Sequence, residues 1–136
     1  MPRRAAPTQP RSNTGRSERV AAFRLGLSAE SRATVLLIAK GYRILGRRVR
    51  THLGEIDLEA RSPGGIVCFI EVKARPDVTT AVEAVAPRQQ ARIARAAEQF
   101  MAQRPGLRAK GVRFDTITVR RGLFPRHFPD AWRPQD

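Results

Sequence analysis

The stretch GEIDLEARSPGGIVCFIEVKARP, residues 54–76, decides how the chain is read. Residues 55–61 and 66–73 are strand-forming runs, and SPGG between them is turn chemistry, so the segment is expected to be a β-hairpin. Side chains alternate along a strand. Glu55, Asp57 and Glu59 should therefore share one face, with Ile56 and Leu58 on the other. In the second strand Phe69, Glu71 and Lys73 lie opposite Ile70 and Val72. With Gly64 at the apex, Asp57 comes beside Glu71 and Glu55 beside Lys73. A slip of one residue would set the charged face of one strand against the apolar face of its neighbour, which disfavours it.

Two carboxylates opposed on neighbouring strands repel. Burying them unpartnered costs several kcal/mol or forces a proton onto one of them. A divalent cation removes the conflict, and an all-oxygen ligand set suits Mg²⁺ or Mn²⁺. Lys73 nearby can neutralise charge, hold a phosphate or orient a water. A plainer reading stays open, in which the hairpin shows water a charged face laced by ion pairs such as Glu55–Lys73.

Working outward, residues 1–18 are rich in Pro, Ser, Thr and Arg and almost free of apolar side chains, which predicts a disordered basic arm. Residues 19–136 are expected to form one domain. From Glu18 to Lys40 apolar residues recur at helical spacing, with Gly41 as a stop. Gly26 is a possible interruption, so the regular helix is expected from about Ser28. Residues 42–50 read as a strand and THLG as a turn. Pro76 should end the second hairpin strand, and Pro87 opens a helix whose stripe is Ile93, Ala94, Ala97, Phe100 and Met101, reaching Arg104. Residues 111–119 form the last clear strand. A strand–helix–strand crossover implies parallel pairing, so the fold class is α/β, an αβββαβ mixed sheet with helices packed on it. The tail RRGLFPRHFPDAWRPQD has no periodicity, and Phe128 and Trp132 are expected to fasten it to the body.

The chain has 136 residues and a net charge of +14, with 26 Lys and Arg against 12 Asp and Glu. Only Lys40, Lys73 and Lys110 are lysines. Arginine-dominated positive charge favours a polyanionic partner, nucleic acid first. No apolar run is long enough to span a membrane, and the basic start has no apolar segment behind it, so a cytoplasmic protein is expected. The single cysteine, Cys68, excludes an internal disulfide and reads as a core residue.

Asp57, thirteen intervening residues, then Glu71-Val72-Lys73 resembles the D…(D/E)-x-K signature of the restriction-endonuclease-like fold. The wider pattern resembles the YraN family, assigned to that nuclease fold and close to archaeal Holliday-junction resolvases. It rests on Gly26, Ala29, Glu30 and Ala33, on GYRIL (41–45), GEIDL (54–58), FIEVKAR (69–75), AVEAVAPRQQARI (81–93) and RFDTITV (113–119). Val35 stands where the family usually has an aromatic, and Gln89 where it usually has a lysine.

The resemblance implies a restriction-endonuclease-like core and a Mg²⁺- or Mn²⁺-dependent endonuclease acting on DNA, branched or structured DNA included. Glu30, Asp57 and Glu71 would hold the metal, with Asp57, Glu71 and Lys73 as the catalytic set. Glu55 and Gln90 are possible accessories, though Gln90 lies close enough to the packing face to make a structural hydrogen bond instead. Arg43, Arg47, Arg48, Arg50, Arg75, Arg88 and Arg92 are candidates for phosphate-backbone contacts. His52 reads as an exposed turn residue. Cutting two symmetric strands would imply a homodimer, but no segment reads as its interface. The alternatives are a non-catalytic nucleic-acid-binding protein that retains the nuclease fold, or a basic structural or ribosome-associated protein.

Overall fold

A computed structural model describes residues 28–75, 85–120 and 122–134. The expected arm at 1–18, the helical turns before Ser28, Gly26, the stop at Pro76 and residues 81–84 of the family pattern lie outside them. Helix α1 (Ala29–Ala39) starts where expected, because the Ser28 side chain accepts the Ser31 amide and caps the first turn. It ends at Lys40, and Gly41 carries φ +88°, the left-handed geometry that suits glycine. Strands β1 (Arg43–Thr51), β2 (Gly54–Arg61) and β3 (Val67–Arg75) follow, then helix α2 (Pro87–Ala102), a short 3₁₀ turn (Pro105–Leu107), β4 (Val112–Arg120) and β5 (Arg126–Trp132).

The five strands lie in the order β1-β2-β3-β4-β5. All neighbours are antiparallel except β3 and β4, which the α2 crossover makes parallel. The strict alternation of β3 separates two cores. Val67 and Phe69 face α2, packing with Ile93, Ala96, Ala97, Phe100 and Phe114. Cys68 and Ile70 face α1, packing with Ala33, Leu37, Leu58, Ile117 and Val119. Phe69 stacks on Phe114 and meets Phe100 edge-on. A mixed sheet with one helix on each face is the architecture expected from the sequence.

The hairpin has the expected register, from Arg61 opposite Val67 to Leu58 opposite Ile70. Ser62 closes the turn through backbone bonds to Ile66 and Gly65, and its hydroxyl accepts the Ile66 amide. Three expectations need correction. First, Glu55, Asp57 and Glu59 do not share a face, nor do Ile56 and Leu58. Ile56 belongs to the α2-side core and Leu58 to the α1-side core. The alternation breaks at Asp57, which lies across from Arg48, a non-glycine residue at φ +50°. Glu59 pairs with Phe69 and is buried on the α2 side. Second, Glu55 does not pair with Lys73. The β2–β3 ladder stops at Leu58–Ile70, and Glu55 takes the Arg50 guanidinium at 3.0 Å. Third, the tail is a strand. Pro129 and exposed polar residues hide the pattern of β5, yet Trp132 stacks on Phe114 at 4.4 Å and fastens it as expected.

Candidate functional site

Past Leu58–Ile70 the strands part, and the Asp57 carboxylate occupies the gap. Its Oδ2 accepts the Val72 amide at 2.8 Å, which turns Asp57 toward β3 and its neighbour Glu71. Burial pushes the Asp57 carboxyl above its usual range, against the pull of the Val72 amide, and the charges of Glu30 and Glu55 push it further. Burial also raises Glu71, and the nearby Asp57 carboxyl adds to it; Lys73 and the Gln89 amide oppose the rise. Gln89, at the start of α2, donates from Nε2 to Glu71 Oε2 at 2.8 Å.

Glu30 reaches the same region from α1. Its two oxygens are taken by Arg47 Nη2 and Arg48 Nε, each at 3.3 Å. Arg47 also donates to Ser31 Oγ at 3.0 Å. Glu30, Arg48, Arg50, Glu55, Asp57 and Val72 line an open cleft of about 420 Å³. On the other side of β3, Thr116 and Thr118 are in register with Glu71 and Lys73, and their buried hydroxyls make no hydrogen bond.

The structure thus brings together Asp57 and Glu71, with Glu30, Glu55, Lys73, Arg47, Arg48 and Arg50 around them. Gln90 is not part of the group: its Nε2 donates to the Val85 carbonyl at 2.9 Å, a structural bond. Gln89, one residue earlier, makes the contact instead. Arg43 and Arg88 are exposed at the starts of β1 and α2, and exposed Arg92 packs its stem by Gly54. The Arg75 side chain lies outside the described residues. His52 is exposed in the β1–β2 turn.

Among the described residues, no group of three or more His, Cys, Asp or Glu is placed to hold a metal ion. The Asp57–Glu71 pair nevertheless fits a hard divalent cation, since two half-buried carboxyls sit side by side with their charged forms disfavoured. Glu30 does not join them in this arrangement, because its oxygens are spent on guanidinium groups.

Sequence reasoning did not single out a second polar cluster. Asp115 is fully buried in β4 and accepts from Arg113 at 2.8 and 2.9 Å, from the Asp130 amide at 2.9 Å, and pairs with His127 Nε2 at 2.8 Å. Despite burial, these bonds hold its carboxyl below the usual range. Arg113 also donates to Tyr42 Oη, and Lys40 Nζ contacts His127 Nδ1 at 2.6 Å. The available signal was a lone acid inside the strand-forming run RFDTITV. The cluster ties α1, β4 and β5 together and lies away from the cleft.

Residues 29–119 match the model of the uncharacterised protein family UPF0102. The chain belongs to this family. It is 53% identical over 121 residues to a UPF0102 protein of Bradyrhizobium sp. (strain ORS 278), covering 89% of this chain and 85% of that one. A UPF0102 protein of Rhodopseudomonas palustris (strain BisB18) is 48% identical over 123 residues, 90% of each chain. Another, of Rhodopseudomonas palustris (strain BisB5), is 45% identical over 127 residues, covering 93% and 96%. This is the family that the sequence pattern resembled. Among the described residues no helix is long and apolar enough to cross a membrane.

Proposed function

We propose that this UPF0102 protein is a Mg²⁺- or Mn²⁺-dependent endonuclease that hydrolyses phosphodiester bonds in DNA, branched or structured DNA included. The reading rests on one observation: Asp57 and Glu71 sit side by side at a splayed strand pair, both with their charged forms disfavoured, beside Lys73 and below a cleft edged by arginines. A protein that only bound phosphates would gain nothing from carboxylates there. Asp57 and Glu71 would hold the cation, which when bound supplies positive charge at the scissile phosphate. Gln89 fixes the rotamer of Glu71, and the Val72 amide fixes that of Asp57. Lys73 offers an ammonium group to a phosphate oxygen or a water. Arg48 and Arg50 line the approach, with Arg47 paired to Glu30 beside it, and guanidinium groups there give salt-dependent affinity with little sequence information. The single cysteine, buried and unpaired, accords with a reducing cytoplasm.

A second reading, a non-catalytic nucleic-acid-binding protein on the same fold, draws on the engagement of Glu30 by Arg47 and Arg48. One experiment separates the two. Wild type, Asp57→Ala and Glu71→Ala are assayed on linear and branched DNA with Mg²⁺, with Mn²⁺ and with chelator, and binding is measured separately by anisotropy. Metal-dependent cleavage lost in both variants, with binding kept, supports the endonuclease. Cleavage that survives both substitutions refutes it. Binding without cleavage on every substrate leaves the second reading.

A further inference from the structure

We infer that the cleft at the opposite end of β3 and β4 from Lys73 binds an unpaired nucleobase of a single-stranded segment. The inference shares the nucleic-acid partner of the preceding section but needs neither the metal nor its carboxylates. The cleft measures about 450 Å³ and is walled by Phe114, Trp132, Val112, Arg113, Asp130 and Arg133. That lies in the range of small-ligand sites. It is also well separated from the acidic pair. Val112 pairs with Val67 and Thr118 with Lys73, six residues further on, roughly 20 Å along the strands at about 3.3 Å per residue.

Its chemistry is specific. Trp132 is backed by Phe114 in a stack with centroids 4.4 Å apart and ring planes 28° apart, so the indole is held rigidly at the wall. Val112 is an apolar strand residue left 46% exposed, which extends the apolar floor. Arg113 borders the cleft through its strand position only, since its guanidinium is held by Asp115 and Tyr42 on the α1 side of the sheet. Asp130 has φ +55°, a costly conformation for a non-glycine residue, and is held by Arg133 at 2.8 Å on the outer rim. Arg133 remains largely exposed there. A rigid aromatic wall, an apolar floor and one exposed guanidinium at the rim, Arg133, suit a flat ring attached to a phosphate. A peptide side chain would fill the apolar part alone, and the chain's +14 charge favours the polyanion.

Trp132 is the single tryptophan of the chain, so its fluorescence reports on this cleft directly. The full-length protein is titrated in chelator, without divalent metal, with a fluorescein-labelled 12-nucleotide single strand and with an abasic strand of equal length. Anisotropy follows total binding and indole emission follows the cleft. The expected result is saturable quenching of Trp132 by the base-bearing strand at the concentrations where anisotropy rises, with the abasic strand raising anisotropy without quenching. Val112→Gln, which removes the apolar floor without adding charge, should weaken the base-bearing strand roughly tenfold, the scale of losing one stacked base. It should leave the abasic strand and the melting temperature nearly unchanged. Trp132→Phe, which preserves the packing on Phe114, should retain most of the affinity. Anisotropy that rises with a silent Trp132, or equal quenching by both strands, overturns the base site while the nucleic-acid reading stands. No anisotropy change with either strand also overturns the base site, while the endonuclease reading is decided by its own metal-dependent cleavage assay.

Discussion

Replacing Glu59 by Gln should remove a slope from the pH dependence of stability. Glu59 has no exposed surface, and neither carboxyl oxygen has a hydrogen-bond partner. Burial pushes its pKa from an ordinary 4.5 to about 7, with Arg104 opposing the rise. The carboxyl is thus a stronger base folded than unfolded. Below pH 4.5 both states hold the proton and the group costs nothing extra. Between 4.5 and about 7 only the folded state holds it, so stability falls as pH rises, and above about 7 the loss is complete. At about 1.36 kcal/mol for each tenfold change in proton affinity, the loss comes to about 3 kcal/mol. Urea denaturation of wild type and Glu59→Gln at several values from pH 4.5 to 8 measures it. The variant keeps an unpartnered buried amide, a penalty that does not vary with pH, so only the difference in slope carries information. The difference in unfolding free energy should grow in favour of the variant by about 3 kcal/mol from acid to neutral pH. Parallel curves, within about 0.5 kcal/mol at every pH, would refute the assignment of Glu59 as a buried, unpartnered acid.

Two further outcomes follow from packing. Asp115→Ala should cost about 3–5 kcal/mol in urea unfolding, because it strands the Arg113 guanidinium and the Asp130 amide; a loss below about 1 kcal/mol would contradict the buried network. Gly46→Ala puts a methyl 2.7 Å from Glu59 Oε1 and 2.8 Å from Val49 Cγ2, so it should destabilise by about 1–3 kcal/mol. In a Glu59→Ala background the cost should shrink, and strict additivity in the double-mutant cycle would count against this contact.

Much of this fold was legible because a hairpin with one buried face tolerates a single register, and β2–β3 adopts it down to Leu58–Ile70. The parallel β3–β4 pair was legible because only a long crossover can join parallel strands. Facing was harder to read. A period of two holds only while the backbone stays extended, and the break where Arg48, at φ +50°, lies across from Asp57 puts Ile56 on the α2 side. Nothing in the side-chain pattern marks an arginine as left-handed. In the cleft, Asp57 and Glu71 come close as expected, but not as an opposed pair: the ladder ends at Leu58–Ile70 and Asp57 reaches β3 through the Val72 amide. The choice between Gln89 and Gln90 was not legible, since neighbours at a helix start differ by only 100° and the cap geometry decides which one reaches β3. β5 escaped notice because proline and aspartate in RHFPDAW resemble turn residues, although an edge strand accepts both.

The two outermost strands also bear on how such a basic protein stays dispersed. An open sheet invites a second molecule to add its own strand at the margin. Here one margin is β1, which carries Arg43, Arg47, Arg48 and Arg50 and is bent at Arg48; the other is β5, interrupted by Pro129, which has no N–H to offer, and by the left-handed Asp130. Like charge and missing donors therefore guard both borders. Among the described residues, intermolecular sheet growth, the first step toward fibrous aggregation, is disfavoured from either side.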